Sequence, residues 1–190
     1  MAMASKSNLK FKIKNLKLFL ILFSLFIFLL VNSPNPASAQ SDYVLPYPSS
    51  MPGSIFYKPQ ETIDNLFAYW YFGDFGQFKY NLSQADKYLV EAKTLFDYKQ
   101  YLLGNRALLL SSKYFAKIKP TLVKASLRRK NISEKQKILI EAVEKHIEEL
   151  EKLKSFVPRK FEWVPEKESP TILNLEDNLN EAISIRQKSL

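Results

Sequence analysis

The sequence predicts an all-α protein, a small antiparallel bundle of about four to five helices. Three observations carry that reading. Apolar residues recur at spacings of three and four through Phe78, Leu82, Ala85, Leu89, Ala92 and Phe96, a sustained seam on one helix face. A second such stripe, with Leu139, Val143, Ile147, Leu150 and Leu153, follows Ser133-Glu134-Lys135-Gln136, the pattern of an N-terminal capping box. The chain has 190 residues, and the 151 that follow position 39 amount to one ordinary domain with enough material for a core.

The first 39 residues read as an address. Lys6, Lys10, Lys12, Lys14 and Lys17 precede an apolar run over 18–31 that only Ser24 interrupts. Residues 32–36, with two prolines, break that run before Ala37-Ser38-Ala39, the layout of a secretory signal cleaved between Ala39 and Gln40. The competing reading is an uncleaved anchor tethering the chain to the inner or cytoplasmic membrane. Fourteen helical residues span about 21 Å against a hydrocarbon core of about 30 Å, which favours cleavage. Both readings export the remainder, to the periplasm, the cell surface or the medium, and no later segment is apolar enough to span a bilayer.

Composition narrows the chemistry. The first 39 residues hold five lysines and no acid, so the +9 of the whole chain leaves 23 basic against 19 acidic residues beyond them, a mild +4. With no cysteine, disulfides, thiolate metal sites and a lipidated cysteine are excluded. The four glycines form no phosphate-cradling loop.

Residues 40–59 form a proline-rich strap, in which Pro46, Pro48, Pro52 and Pro59 hold the backbone extended while Tyr43, Val44, Leu45, Tyr47, Ile55, Phe56 and Tyr57 supply apolar bulk. The bundle is assigned to 60–155. Its first helix fits 60–72, on Ile63, Leu66, Phe67 and Trp70. Phe67, Tyr69, Trp70, Tyr71, Phe72, Phe75, Phe78 and Tyr80 then crowd around the turn signal Gly73-Asp74-Phe75-Gly76. Aromatics at this density can stack on sugar rings or nucleobases. The plainer expectation is a helix–helix corner covered by the strap through Tyr47, Phe56 and Tyr57.

A longer helix over 77–100 carries the seam, with Asp86, Lys87, Glu91 and Lys93 on its solvated side. The next runs from 101 or 105 to 117, and Pro120 ends or kinks it. Residues 117–137 hold eight basic residues against Glu134, a net +7; within it Lys124, Arg128, Arg129 and Lys130 are the candidate contacts to an anionic surface. The helix from Ser133 contains the sole histidine, His146. A metal ligand or general base there needs a carboxylate or second histidine converging on it, and its helix neighbours Val143, Leu150, Ala142 and Glu149 point to a structural or surface role. Residues 156–170 read as a proline-containing linker anchored by Phe161 and Trp163, and 171–190 as a last helix with Glu176 and Asp177 early and Arg186 and Lys188 late, the order the helix dipole favours. No repeat of fixed period emerges.

Tyr43-Val44-Leu45-Pro46-Tyr47-Pro48, with Pro52 and Tyr57 following, resembles the opening signature of an uncharacterised bacterial domain-of-unknown-function family, approximately Y-V-L-P-Y-P-G-x-x-P-D-x-P-L-Y. The resemblance extends over 43–118 and includes the helical phrase at 85–93. It implies a small exported helical protein with a signal or anchor, and carries over no catalytic residue. This chain departs from the pattern at Ser49, Gly53 and Ile55.

The expected function is that of an exported, non-enzymatic helical module that associates with the cell envelope or a partner protein. Its expected contacts are an envelope component, with anionic lipid or wall polymer as candidates, and not nucleic acid; no catalytic, metal-binding or cofactor-binding residue is singled out. The rival class is an envelope hydrolase acting on wall glycans, in which two of Glu61, Asp64, Asp74, Asp86 and Glu91 converge as acid and base.

Overall fold

The computed structural model describes residues 43–190 apart from 49, 56 and 168, and not the side chains of 60, 61 and 65. The expected cleavage-site residues Ala37, Ala39 and Gln40 therefore lie outside the described residues, as does Phe56. The chain is a helical bundle: α1 (Tyr57–Phe67), α2 (Gly73–Asp97), α3 (Tyr101–Phe115), α4 (Ile118–Leu127), α5 (Ser133–Phe156) and α6 (Leu175–Gln187), with β1 (Lys160–Trp163) and β2 (Thr171–Asn174) before the last helix. No helix among the described residues is long and apolar enough to cross a membrane.

The three-residue turn after α2 sends α3 back along it, and α2 also carries α4 and part of α5. Helix α6 closes the bundle against α3 and α5. Two ends of helices here are Schellman motifs. After α2, Lys99 sits at φ 57°, its N–H bonded to Phe96 O at 2.9 Å and the Gln100 N–H to Leu95 O at 2.8 Å. After α4, Arg129 repeats the arrangement at φ 57°, with Lys130 N–H to Ala125 O at 3.1 Å. A side chain at such a position is strained, which glycine relieves. Lys99→Gly is expected to gain about 0.5–1 kcal/mol and raise the melting temperature by a few degrees, as read by thermal denaturation.

Several expectations are corrected. Helix α1 starts at Tyr57 and stops at Phe67 instead of running over 60–72, because residues 68–70 turn. Helix α3 ends at Phe115, short of the expected 117, and the basic stretch contains a further helix, α4. Pro120 stands in the first turn of that helix, where its missing N–H has no intrahelical partner to lose. The capping box at Ser133 does not form. The Asn131 side chain accepts from the Ser133 N–H at 3.1 Å and from its hydroxyl at 2.8 Å, so an Asx turn starts α5. The linker over 156–170 contributes half of an antiparallel hairpin, in which Phe161 faces Leu173 and Trp163 faces Thr171. These β-branched and aromatic partners hold 171–174 extended and delay α6 to Leu175.

The core lies in two halves. One gathers Leu89, Ala92, Leu95, Phe96, Leu108, Leu150, Leu153 and the apolar face of α6; the other gathers Phe78, Leu82, Ala85, Phe115, Ile118, Leu122, Leu139 and Val143. Gly104 lets α3 approach α2, since a Cβ there would lie 2.8 Å from the Phe96 ring.

Candidate functional site

The junction of the two core halves is polar. On α2, Asp86 falls between Ala85 of one half and Leu89 of the other; on α3, Ser111 and Ser112 fall between Leu108 and Phe115; on α5, His146 falls between Val143 and Leu150. Helix α6 sends in Arg186, one turn after Ile183. His146 and Arg186 are both 0% exposed, and Asp86 is buried as well.

These groups form one hydrogen-bonded belt. His146 Nε2 lies 2.7 Å from Asp86 Oδ1, and the Tyr43 hydroxyl donates to Asp86 Oδ2 at 2.5 Å. Arg186 Nε–H donates to His146 Nδ1 at 3.4 Å. A guanidinium only donates, so Nδ1 is bare, the proton sits on Nε2, and the neutral imidazole donates to Asp86. Arg186 also donates to Ser112 Oγ at 2.8 Å, Ala182 O at 3.0 Å and Ser111 Oγ at 2.7 Å, while the Ser111 hydroxyl donates to Ala85 O at 2.7 Å. The Phe115 ring lies beside both, its centroid 4.9 Å from the guanidinium carbon and 4.8 Å from the centroid of the tilted imidazole.

Two expectations change here. Asp86 and Glu91 are not on a solvated face: both are buried, Asp86 in the belt and Glu91 accepting from the Tyr57 hydroxyl at 2.9 Å. A carboxylate does converge on His146, and it comes from another helix, so residue spacing along α5 gave no sign of it. The belt nevertheless presents no reactive atom outward. Both imidazole nitrogens are occupied by protein partners, and the ring is closed from solvent.

Burial is the main cause that lowers His146 below the ordinary imidazole value, and the Arg186 charge adds to it; the Asp86 hydrogen bond and charge oppose them. Burial likewise brings Arg186 down to about 9 against the pull of Asp86, which leaves the guanidinium charged at neutral pH. Because the folded His146 binds its proton less readily than the unfolded chain, its contribution is complete above about pH 6.5 and is lost as pH falls below that value. Urea midpoints measured from about pH 8 to pH 5 are expected to fall in the wild type, and the decline is expected to flatten in His146→Gln.

The candidate hydrolase carboxylates go separate ways. Asp64 pairs with Lys87, Asp74 with Arg128 and Lys130, Asp86 with His146 and Tyr43, and Glu91 with Tyr57. The side chain of Glu61 lies outside the description. Among the described residues, no group of three or more His, Cys, Asp or Glu converges to hold a metal ion.

The strap is seated differently from the expectation. Tyr43 packs on one core half and Leu45 on the other, so the start of the signature bridges both. Val44 and Tyr47 point out, and Pro46 and Pro48 are exposed. Pro52 belongs to the turn at 51–55, closed by Ser54 N–H to Met51 O at 3.0 Å, and Tyr57 opens α1. Tyr47 therefore does not cover the aromatic corner. Phe78 and Tyr80 are buried, and Tyr71, Tyr80, Tyr114 and Tyr88 form a chain of ring contacts 5.6–5.9 Å apart. Phe67, Tyr69, Trp70 and Phe72 are exposed, Trp70 at 72% and Phe72 at 82%.

The predicted basic contact splits in two. Arg128 Nη1 reaches both Asp74 oxygens, at 3.0 and 3.1 Å, and Lys130 Nζ reaches Asp74 Oδ2 at 2.9 Å. Asp74 is 4% exposed, and these cations, Lys130 foremost, hold its carboxyl below the usual range despite burial. The clamp ties the end of α4 to the start of α2. Lys124 and Arg129 are exposed and, among the described residues, make no ion pair or hydrogen bond through their side chains; Lys124 lines the same hollow as Asp74. No family model matches the chain, and neither a curated protein nor a solved structure matches it.

Proposed function

We propose that this chain is an exported, non-enzymatic helical module that associates with an anionic component of the cell envelope through the basic turn at 124–130. One observation carries the reading. Lys124 and Arg129 stand free beside a clamp in which two cations share a single carboxylate, so the turn and its clamp keep a net charge of +3 (four cations against Asp74). Export rests on residues 5–39, and N-terminal sequencing of the exported protein is expected to start at Gln40. A start at Met1 or Ala2 indicates the anchored form instead.

The test is sedimentation of the exported chain starting at Gln40 with anionic phospholipid vesicles and with purified wall material, at low and high salt. Retention is expected at low salt and is expected to weaken as salt screens the contact. Each cation near an anionic surface contributes about 1 kcal/mol, so Lys124→Ala with Arg129→Ala is expected to weaken vesicle binding about 30-fold. No retention on either material at low salt overturns the proposal.

A further inference from the structure

Helix α1 is amphipathic in the wrong sense for a helix that only packs on its own bundle. Its polar contacts face inward: Asp64 meets Lys87, Asp64 O accepts from the Tyr80 hydroxyl at 3.4 Å, and the Tyr57 hydroxyl meets Glu91. Its apolar residues face solvent. Ile63, Leu66 and Phe67 are each at least half exposed, and Tyr69, Trp70 and Phe72 extend the ridge through the following turn. Leaving six large apolar side chains in water while inward positions go to polar groups is unfavourable for an isolated soluble domain.

The ridge runs into the basic turn. Phe72 precedes the first turn of α2, where Asp74 binds Arg128 and Lys130, and Lys130 Nζ lies 5.4 Å from the centroid of the Phe75 ring. The Asp74 clamp therefore holds the cations Arg128 and Lys130 beside the half-buried Phe75, three residues after the exposed Phe72 that ends the ridge. Tryptophan and tyrosine favour the boundary between headgroups and acyl chains, and lysine and arginine favour anionic headgroups.

We infer that the aromatic ridge at 63–72 and the basic turn at 124–130 are one membrane-contact face, which lowers Trp70 and Phe72 into the interfacial layer of an anionic phospholipid bilayer. This rests on the envelope association proposed above and names its ligand. The occupant is a lipid surface because the feature combines a broad apolar ridge with net positive charge. The Asp74 clamp fixes the spacing between the two parts, so the face needs no rearrangement of the bundle.

Trp70 supplies the test, since Trp163 is the only other tryptophan. The exported chain starting at Gln40 and carrying Trp163→Phe is mixed with phosphatidylglycerol vesicles, with phosphatidylcholine vesicles and with soluble wall-glycan fragments. With phosphatidylglycerol, Trp70 emission is expected to shift to the blue and to lose most of its intensity when the acyl chains are brominated. Phosphatidylcholine is expected to give a clearly smaller effect. Adding Lys124→Glu and Arg129→Glu is expected to reduce the phosphatidylglycerol effect to the phosphatidylcholine level, with circular dichroism confirming an intact bundle. Sedimentation with phosphatidylglycerol vesicles while Trp70 keeps its aqueous emission overturns this inference and leaves the association standing. Absence of sedimentation with every material overturns both. A shift with glycan fragments and none with vesicles assigns the ridge to sugar stacking and also overturns it, as does quenching that the two charge reversals leave unchanged.

Discussion

Asp86→Ala is expected to cost about 3–5 kcal/mol of folding stability and to lower the melting temperature by roughly 10–15 °C. The carboxylate is the one anionic member of the buried belt. Removing it leaves the Arg186 guanidinium buried without a counter-charge and strips acceptors from the His146 N–H and the Tyr43 hydroxyl together. The desolvation already imposed on Arg186 is then unopposed. Urea denaturation followed by circular dichroism checks this. Tyr43→Phe removes one charge-assisted hydrogen bond while keeping the ring in place, and is expected to cost less, about 1.5–3 kcal/mol.

Phe115→Ala is expected to cost about 3–5 kcal/mol, the usual range for deleting a buried aromatic ring. The site is worse than average for such a deletion. The ring belongs to the core half that holds Leu82, Ile118 and Leu139 and also flanks Arg186 and His146. The cavity would open against charged and polar groups whose geometry is fixed by the belt, so the surroundings have little freedom to collapse. Phe115→Leu keeps most of the volume and loses the ring face over the guanidinium, which is worth about 0.5–2 kcal/mol. The pair of variants, compared by equilibrium unfolding, separates packing from the cation–π contact.

Periodicity revealed most of the helices because each of these carries an apolar stripe at a spacing the sequence displays, buried in α2, α3, α5 and α6 and exposed in α1. It revealed α2 and α5 best, as their stripes are long. It did not reveal α4, whose apolar positions Ile118, Leu122 and Ala125 are few and sit among lysines, so charge dominates the local pattern. The belt was illegible for a different reason. Asp86, Ser111, Ser112, His146 and Arg186 come from four helices, and only tertiary packing puts them together. Asp86 stands beside Lys87 in the sequence as a surface acid does, and nothing local marks it as buried. Arg186 near the end of α6 looked like a dipole-stabilising surface cation; its side chain instead turns inward.

The surface was partly legible. The run of cations was evident, but which of them are consumed depends on Asp74, a residue that the sequence places in a turn more than fifty positions away. The aromatic corner is legible as a cluster, but only its part at Phe78 and Tyr80 is buried. Its polar neighbours Asp64 and Tyr57 took the inward positions, which turned the ridge of α1 outward. The strap contributes its first tyrosine to the interior, so Tyr43, not Tyr47, joins this segment to the bundle.

The most direct measurement of whether the two core halves are joined by a coupled polar belt is a double-mutant cycle between α2 and α6. Wild type, Asp86→Asn, Arg186→Met and the double variant are unfolded in urea at neutral pH. Asparagine keeps the shape of the aspartate and removes its charge, and methionine keeps much of the arginine stem. The predicted result is a coupling energy of about 2 kcal/mol or more, with the double variant losing much less than the two single losses combined. Additivity within about 0.5 kcal/mol would contradict it, and would mean that Asp86 and Arg186 are buried side by side without depending on each other.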